Sequence, residues 1–137
     1  MERFRFVDDL TSDVMFEAYG KDLKEVFENA AFALFNVMFQ VGRIKPERKI
    51  EVSITADDVE ELMISWLQEL ISRSEIEGMF FCKAEIHEID EKHMRASVYG
   101  EPADPSKGET LVKAVTYYGF SFEKTDDGYR ARVSLDI

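Results

Sequence analysis

Apolar residues recur along this chain with two spacings, one helical and one alternating. From residue 23 to residue 38 they fall on one face at helical spacing, and further apolar residues widen that face. Asp22 can cap this helix at its start, and Glu25 three residues later completes a box-like pattern. Gly42 indicates that the helix ends near residue 40 or 41.

A second helix is predicted over residues 59–71, where apolar positions recur at three- and four-residue spacing. This is the strongest helix signal in the chain. Asp57 and Asp58 precede it and suit the positive end of its dipole. Trp66 lies at the centre of the apolar stripe, so we expect it in the core rather than as a platform for a ligand.

Alternation of apolar and polar residues predicts seven strands. Asp127-Gly128 is the turn signal between the last two, whereas residues 100–109 are too rich in Pro, Gly and charge to sustain a strand. The element order predicts an α+β fold with two helices packed on a mostly antiparallel β-sheet, in a single domain spanning residues 1–137. The predicted strands cover residues 3–7, 14–19, 48–55, 80–89, 93–99, 111–124 and 129–137.

The chain is strongly acidic, with a net charge of −11. No direct nucleic-acid binding is expected, because recognition of phosphate needs a basic face. The acidity suits a protein that binds metal ions or docks on a basic partner, and it equally suits a protein whose charge serves only solubility.

Three sequence features favour a cytoplasmic location. No apolar run approaches the roughly 18–20 residues that a membrane helix needs, so no membrane partner is expected. No charged-then-apolar leader opens the chain. Cys82 is the only cysteine and has no partner for an internal disulfide or a Cys-rich metal site.

Common catalytic motifs are missing from the sequence: it contains no P-loop, GxGxxG, HExxH, CxxC or GxSxG. His87 and His93 fall in one predicted hairpin, where we expect solvent-facing side chains rather than a catalytic pair. Cys82 has no neighbouring histidine in sequence and is expected to be a buried or half-buried thiol. These residues do not assemble into a nucleophile, a base and an orienting group.

Three carboxylates are distinctive by position. Asp13 lies where a polar turn enters a strand, Asp136 is the penultimate residue, and Ile137 carries the terminal carboxylate. Oxygen ligands at loops and chain ends suit hard cations such as Ca²⁺ or Mg²⁺. The alternative is that Asp13 caps a turn and Asp136 is solvated, and the residues alone leave both interpretations open.

Lys113 lies between Val112 and Ala114 in a predicted strand. A lysine in such a position can protect an edge strand against aggregation. It can also direct its charge at a phosphate or at the carboxylate cluster, and the residues alone do not decide between these roles.

Segments spread over almost the whole chain resemble the archease family. Each segment is weakly informative by itself, but their order, their spacing and the C-terminal ending make the resemblance specific. The matching segments are LTSDVMFEAYG (10–20), LKEVFENAAFALFNVM (23–38), DDVEELMISWLQELI (57–71), EGMFF (77–81), GEPADP (100–105), VKAVTYYG (112–119) and RARVSLDI (130–137).

The resemblance implies a small α+β protein built around a strand-helix-strand-strand module, acting as an accessory factor in RNA processing. It implies that the protein activates the GTP-dependent RNA ligase of tRNA splicing and RNA repair, by promoting guanylylation of the ligase and multiple turnover. A second implied role is chaperone-like modulation of a tRNA cytosine methyltransferase. The chain itself is then not an enzyme, and a metal-dependent hydrolase acting alone is the weaker alternative.

The same resemblance assigns a divalent metal site, for Ca²⁺ or Mg²⁺, to Asp13, Asp136 and Ile137. It assigns a role in partner activation to Lys113, which lies in the Val-Lys-Ala-Val-Thr motif.

Two histidines of the family pattern are replaced in this chain. Leu10 stands in place of the histidine of the His-Thr-Ala-Asp motif, and Tyr118 in place of the histidine of Thr-Tyr-His. The aspartates and the lysine are retained, so we interpret both changes as variation within a working protein.

Overall fold

Two helices and seven strands make up the part of the chain described by the computed structural model, residues 2–7 and 13–137. Short 3-10 turns at Val41–Arg43 and Pro105–Lys107 complete the order, which confirms the predicted α+β class. The elements are β1 (Phe4–Val7), β2 (Val14–Gly20), α1 (Leu23–Met38), β3 (Arg48–Thr55), α2 (Val59–Glu77), β4 (Met79–Ile89), β5 (His93–Pro102), β6 (Ala114–Thr125) and β7 (Gly128–Asp136).

The strands form two antiparallel sheets rather than the one that the alternating pattern suggested. One has the order β1-β2-β7-β6 and the other the order β3-β5-β4. The elements β3, α2, β4 and β5 form a strand-helix-strand-strand unit. Alternation reports only which side chains share a face, and it does not specify which strands pair, so the division into two sheets could not be predicted.

Helix α1 begins at its predicted cap, Asp22, and helix α2 begins after Asp58, which also caps its helix. The side chain of Asp22 accepts a hydrogen bond of 2.8 Å from the N–H of Glu25, and that of Asp58 accepts one of 2.8 Å from the N–H of Glu61. Helix α1 ends at Met38, slightly before the predicted residue 40 or 41. Helix α2 continues beyond its apolar stripe to Gly78, whose left-handed conformation (φ 61°) closes it.

The core lies between the helices and the sheets, and Trp66 is fully buried in it as expected. Its indole N–H donates a hydrogen bond of 3.0 Å to the carbonyl oxygen of Phe27, which joins α2 to α1. Phe35 of α1 packs on Phe81 of β4, with ring centroids 5.7 Å apart. Residues of both sheets and both helices therefore share one hydrophobic cluster.

Two predicted boundaries around the loop before β6 are wrong. Strand β5 runs on through Glu101 to Pro102, because Phe80 and Met79 of β4 still pair with these residues. Strand β6 begins at Ala114 instead of residue 111, because its first pairing partner is Asp136, where β7 ends, and the segment before it is bonded to α1 through the N–H of Thr110 and the carbonyl oxygen of Val37. Contacts with distant parts of the chain set both limits.

Candidate functional site

The pairing of β2 with β7 places two of the predicted carboxylates at the same end of the four-stranded sheet. Val14 is paired with Leu135 in an antiparallel register. One step further along this register, Asp13 on the β2 side lies opposite Asp136 on the β7 side. Both aspartates are half-buried.

Strand β6 brings Lys113 to this end from the other side of β7. Ala114 is paired with Asp136, and the N–H of Lys113 donates a hydrogen bond of 2.7 Å to the carbonyl oxygen of Asp136. The side chain of Lys113 is exposed, and Ile137 is 40% exposed. The sheet therefore collects all four predicted site residues, which we call the C-terminal corner: Asp13, Lys113, Asp136 and Ile137.

Two buried hydroxyl groups adjoin the C-terminal corner, and sequence reasoning missed them. Ser134 is fully buried, and it is paired with Thr116 of β6 on one side and with Met15 of β2 on the other. Neither the Ser134 nor the Thr116 hydroxyl has a hydrogen-bond partner within the described residues. Ser134 lies two residues before Asp136, so both side chains share a sheet face. That spacing was the only signal available in the sequence.

The donor atoms of the C-terminal corner are oxygens, the ligand type that hard cations prefer. Asp13 and Asp136 supply side-chain oxygens, and the uncommitted hydroxyls of Ser134 and Thr116 supply polar oxygens on the same face. Residues 2–7 and 13–137 contain no group of three or more His, Cys, Asp or Glu side chains that is placed to hold a metal ion. A site here therefore requires an additional oxygen ligand, and the terminal carboxylate of Ile137 is the candidate.

A network of charges occupies the same sheet face next to the C-terminal corner. Glu17 is only 3% exposed and is bonded by Arg5, Arg132 and Tyr19 at 2.8–3.1 Å. Burial by itself raises the pKa of Glu17, but the hydrogen bonds from Arg132, Tyr19 and Arg5 outweigh burial, so its pKa is lowered. Glu17 is therefore a satisfied ion that holds β1, β2 and β7 together.

Strand β6 has an irregular edge beside the buried hydroxyls. Its pairing with β7 is interrupted between Thr116 and Ser121. Gly119 has a φ of 64°, and an added Cβ would meet the Met15 Cε at 2.8 Å, so this position needs glycine. Tyr117 and Tyr118 are 71% and 54% exposed within the interruption. Tyr118, which replaces a family histidine, therefore lies at the surface, whereas Leu10 lies outside the described residues.

The remaining candidate residues take no part in the C-terminal corner. His87 is exposed, and its Nε2 lies 2.6 Å from the buried Ser97 hydroxyl, which in turn donates to Glu51. His93 belongs to a different contact, with Nδ1 3.9 Å from a carboxylate oxygen of Glu88. Cys82 is half-buried, and burial raises the pKa of its thiol, which disfavours the reactive thiolate.

Comparison with known proteins identifies the family. A model of the archease protein family (MTH1598/TM1083) matches residues 4–137. The chain belongs to the archease family. It is 43% identical over 133 residues to an archease of Methanosarcina acetivorans. The aligned region covers 93% of this chain and 91% of that protein. It is 37% identical to an archease of Sulfurisphaera tokodaii, with full coverage of both chains.

Solved structures support the archease fold. The solution structure of Methanobacterium thermoautotrophicum protein 1598 is 36% identical and superposes with a TM-score of 0.82, over all of both chains. A Thermotoga maritima crystal structure, described as an archease and possible chaperone, has a TM-score of 0.67 at 20% identity, over 97% of each chain.

None of the helices within the described residues is long and apolar enough to cross a membrane.

Proposed function

We propose that this archease-family protein is an activator of a GTP-dependent RNA ligase and acts through its C-terminal corner. The observation that carries the proposal is the sheet register, which brings Asp13, Asp136 and Lys113 to one edge of the molecule. Family membership supports it, because the resemblance implies this activity and these same residues.

Asp13, Asp136 and the terminal carboxylate of Ile137 would hold a divalent ion, Ca²⁺ or Mg²⁺. When bound beside a nucleotide, such an ion neutralises charge that develops on phosphate oxygens during nucleotidyl transfer. The buried hydroxyls of Ser134 and Thr116 lie on the same sheet face and can orient an aspartate oxygen or a water molecule. In this proposal the residues of this chain bind the divalent ion and orient its ligands.

Lys113 adds a cation beside the carboxylates, at a position fixed by its main-chain bond to Asp136. Its ammonium group is solvent-exposed and can approach a phosphate of the ligase-bound nucleotide as a point charge. The covalent step takes place on the ligase, and this chain supplies binding and electrostatic groups.

The test is ligase turnover in the presence of wild type, Asp13→Asn and Asp136→Asn proteins. We expect both variants to retain the fold, because both side chains are half-buried at a sheet end, and to lose stimulation. Asp126→Asn is the matched control, since Asp126 is exposed in the turn at the opposite end of the β6–β7 hairpin. Folded variants that stimulate as well as wild type would refute the proposal.

A second candidate is chaperone-like modulation of a tRNA cytosine methyltransferase. Two observations favour it: the net charge of −11, and the description of the Thermotoga maritima structure as a possible chaperone. This role needs the acidic surface more than the C-terminal corner. Charge reversal of exposed carboxylates far from the corner should then abolish the effect on the methyltransferase, whereas Asp136→Asn should leave it intact.

A further inference from the structure

An apolar groove borders the C-terminal corner on the side of Lys113. It lies between the C-terminal ends of α1 and α2 and the extended segment 108–113, and its volume is about 740 Å³. Lys113 belongs to its lining, so the groove and the corner are continuous. The large apolar residues of the lining are Met38, Phe39, Ile71, Phe80, Leu111 and Val112.

The wall of this groove is held in place before any partner binds. The N–H groups of Glu109 and Thr110 are bonded to the carbonyl oxygens of Met38 and Val37 at 2.9 and 3.1 Å. Phe39 and Phe80 stack with ring centroids 4.5 Å apart on the lining. A preformed groove lowers the conformational cost of binding a partner segment.

The rim of the groove indicates the chemistry of its occupant. Leu111 is 79% exposed at the rim, where it adds a large apolar side chain to the apolar lining of the groove. Glu75 and Glu109 also line the groove and are exposed, and neither has an ion-pair partner among residues 2–7 and 13–137. Within the same described residues, the N–H group of the exposed Leu111 has no main-chain acceptor.

From these features we infer that the groove binds an extended segment of the ligase that carries one large apolar side chain flanked by lysine or arginine. The apolar side chain enters beside Leu111, the cation faces Glu75 and Glu109, and the main chain of the segment accepts a hydrogen bond from Leu111. This inference rests on the proposed function and adds to it: the groove supplies affinity, and the C-terminal corner supplies activation.

The experiment is a titration of ligase turnover against the concentration of this protein, with and without substitutions at the rim. For Leu111→Asp and for Glu109→Lys we expect the half-saturating concentration to rise about tenfold or more, with the maximal stimulation unchanged. Asp136→Asn should show the opposite pattern, a reduced maximum at a similar half-saturating concentration. Glu91→Lys, an equal charge change in the exposed β4–β5 turn, is the control.

The outcomes distinguish a failure of the groove inference from a failure of the proposed function. If wild type stimulates and both rim variants keep the wild-type half-saturating concentration, the groove inference is wrong and the proposed function stands. If wild type neither binds nor stimulates the ligase at any concentration, the proposed function is wrong, and the inference falls with it. Circular dichroism checks the fold of every variant. Should Leu111→Asp fail to fold, Glu109→Lys decides alone.

Discussion

The main-chain N–H of Lys113 is bonded to the main-chain carbonyl oxygen of Asp136 at 2.7 Å. Because the bond uses no side-chain atom, either side chain can be replaced while the two residues stay next to each other. The cationic and anionic side chains of the C-terminal corner are thus positioned by backbone pairing. Substitutions at these two residues therefore test function separately from folding.

Replacing Lys113 with alanine should lower the stimulation of the ligase by about tenfold or more, because a cation beside the phosphates is lost. Its side chain is exposed, so the free energy of unfolding should change by no more than about 0.5 kcal/mol. Turnover assays and chemical denaturation measure the two quantities.

The control for that substitution is Lys124→Ala, an exposed lysine at the far end of β6. The edge-protection role predicts a different result, because β6 is an edge strand of its sheet. Under that role, Lys113→Ala would self-associate in size-exclusion chromatography, and its monomeric fraction would remain fully active.

Extending the chain by four residues beyond Ile137 should weaken divalent-cation binding by about tenfold or more, because the terminal carboxylate is moved away from Asp136. The free energy of unfolding should stay nearly constant, since β7 already ends at Asp136. Isothermal titration calorimetry with Ca²⁺ and with Mg²⁺ measures the binding. The same four residues added at the amino terminus are the control. Unchanged affinity after the C-terminal extension would exclude the Ile137 carboxylate as a ligand.

Protonation of Glu17 should make the protein less stable in acid. Its pKa in the folded protein lies below the ordinary value of 4.5, so its ionised form stabilises the fold above that pH. This contribution is lost as the pH falls from 4.5 through the folded-state pKa. Asp90, Glu101 and Asp104 also have lowered pKa values and act in the same direction.

The contribution of Glu17 is isolated by comparing wild type with Glu17→Gln. At pH 7 we expect the variant to be less stable by about 2 kcal/mol, because Arg5 and Arg132 lose a buried anionic partner. The difference in stability should begin to narrow as the pH falls below 4.5 and should disappear once the pH is below the folded-state pKa of Glu17. Urea denaturation across this pH range measures the difference. A difference that stays constant with pH would contradict the assigned role of the Glu17 charge.

Gly100 should be intolerant of any side chain. A Cβ at this position would lie 2.0 Å from the carbonyl oxygen of Phe80, a backbone atom of the neighbouring strand β4 that cannot move aside. We expect Gly100→Ala to lower the free energy of unfolding by about 3 kcal/mol or more. Gly42→Ala is the matched control, since a Cβ there meets nothing within 4 Å. Thermal unfolding of the two variants distinguishes them, and equal midpoints would show that β5 can shift relative to β4.

Local sequence patterns determined the order of the elements. Helical spacing, the caps Asp22 and Asp58, and the turn at Asp127-Gly128 depend on residues within a few positions of one another, so they can be recognised without the fold. The chain order of Asp13, Lys113, Asp136 and Ile137 could likewise be matched to a family motif. That these four residues lie together at one end of the sheet could not be deduced from their spacing in the sequence.

Tertiary structure decided the strand pairing and everything that depends on it. The division into two sheets, the extension of β5 to Pro102 and the late start of β6 all follow from contacts between residues far apart in sequence. The same pairing buried Ser134 next to Thr116 and placed a groove beside Lys113. Alternation specifies a face of a strand but not its neighbour, so the sequence named the residues of the C-terminal corner and only the folded sheet brought them together.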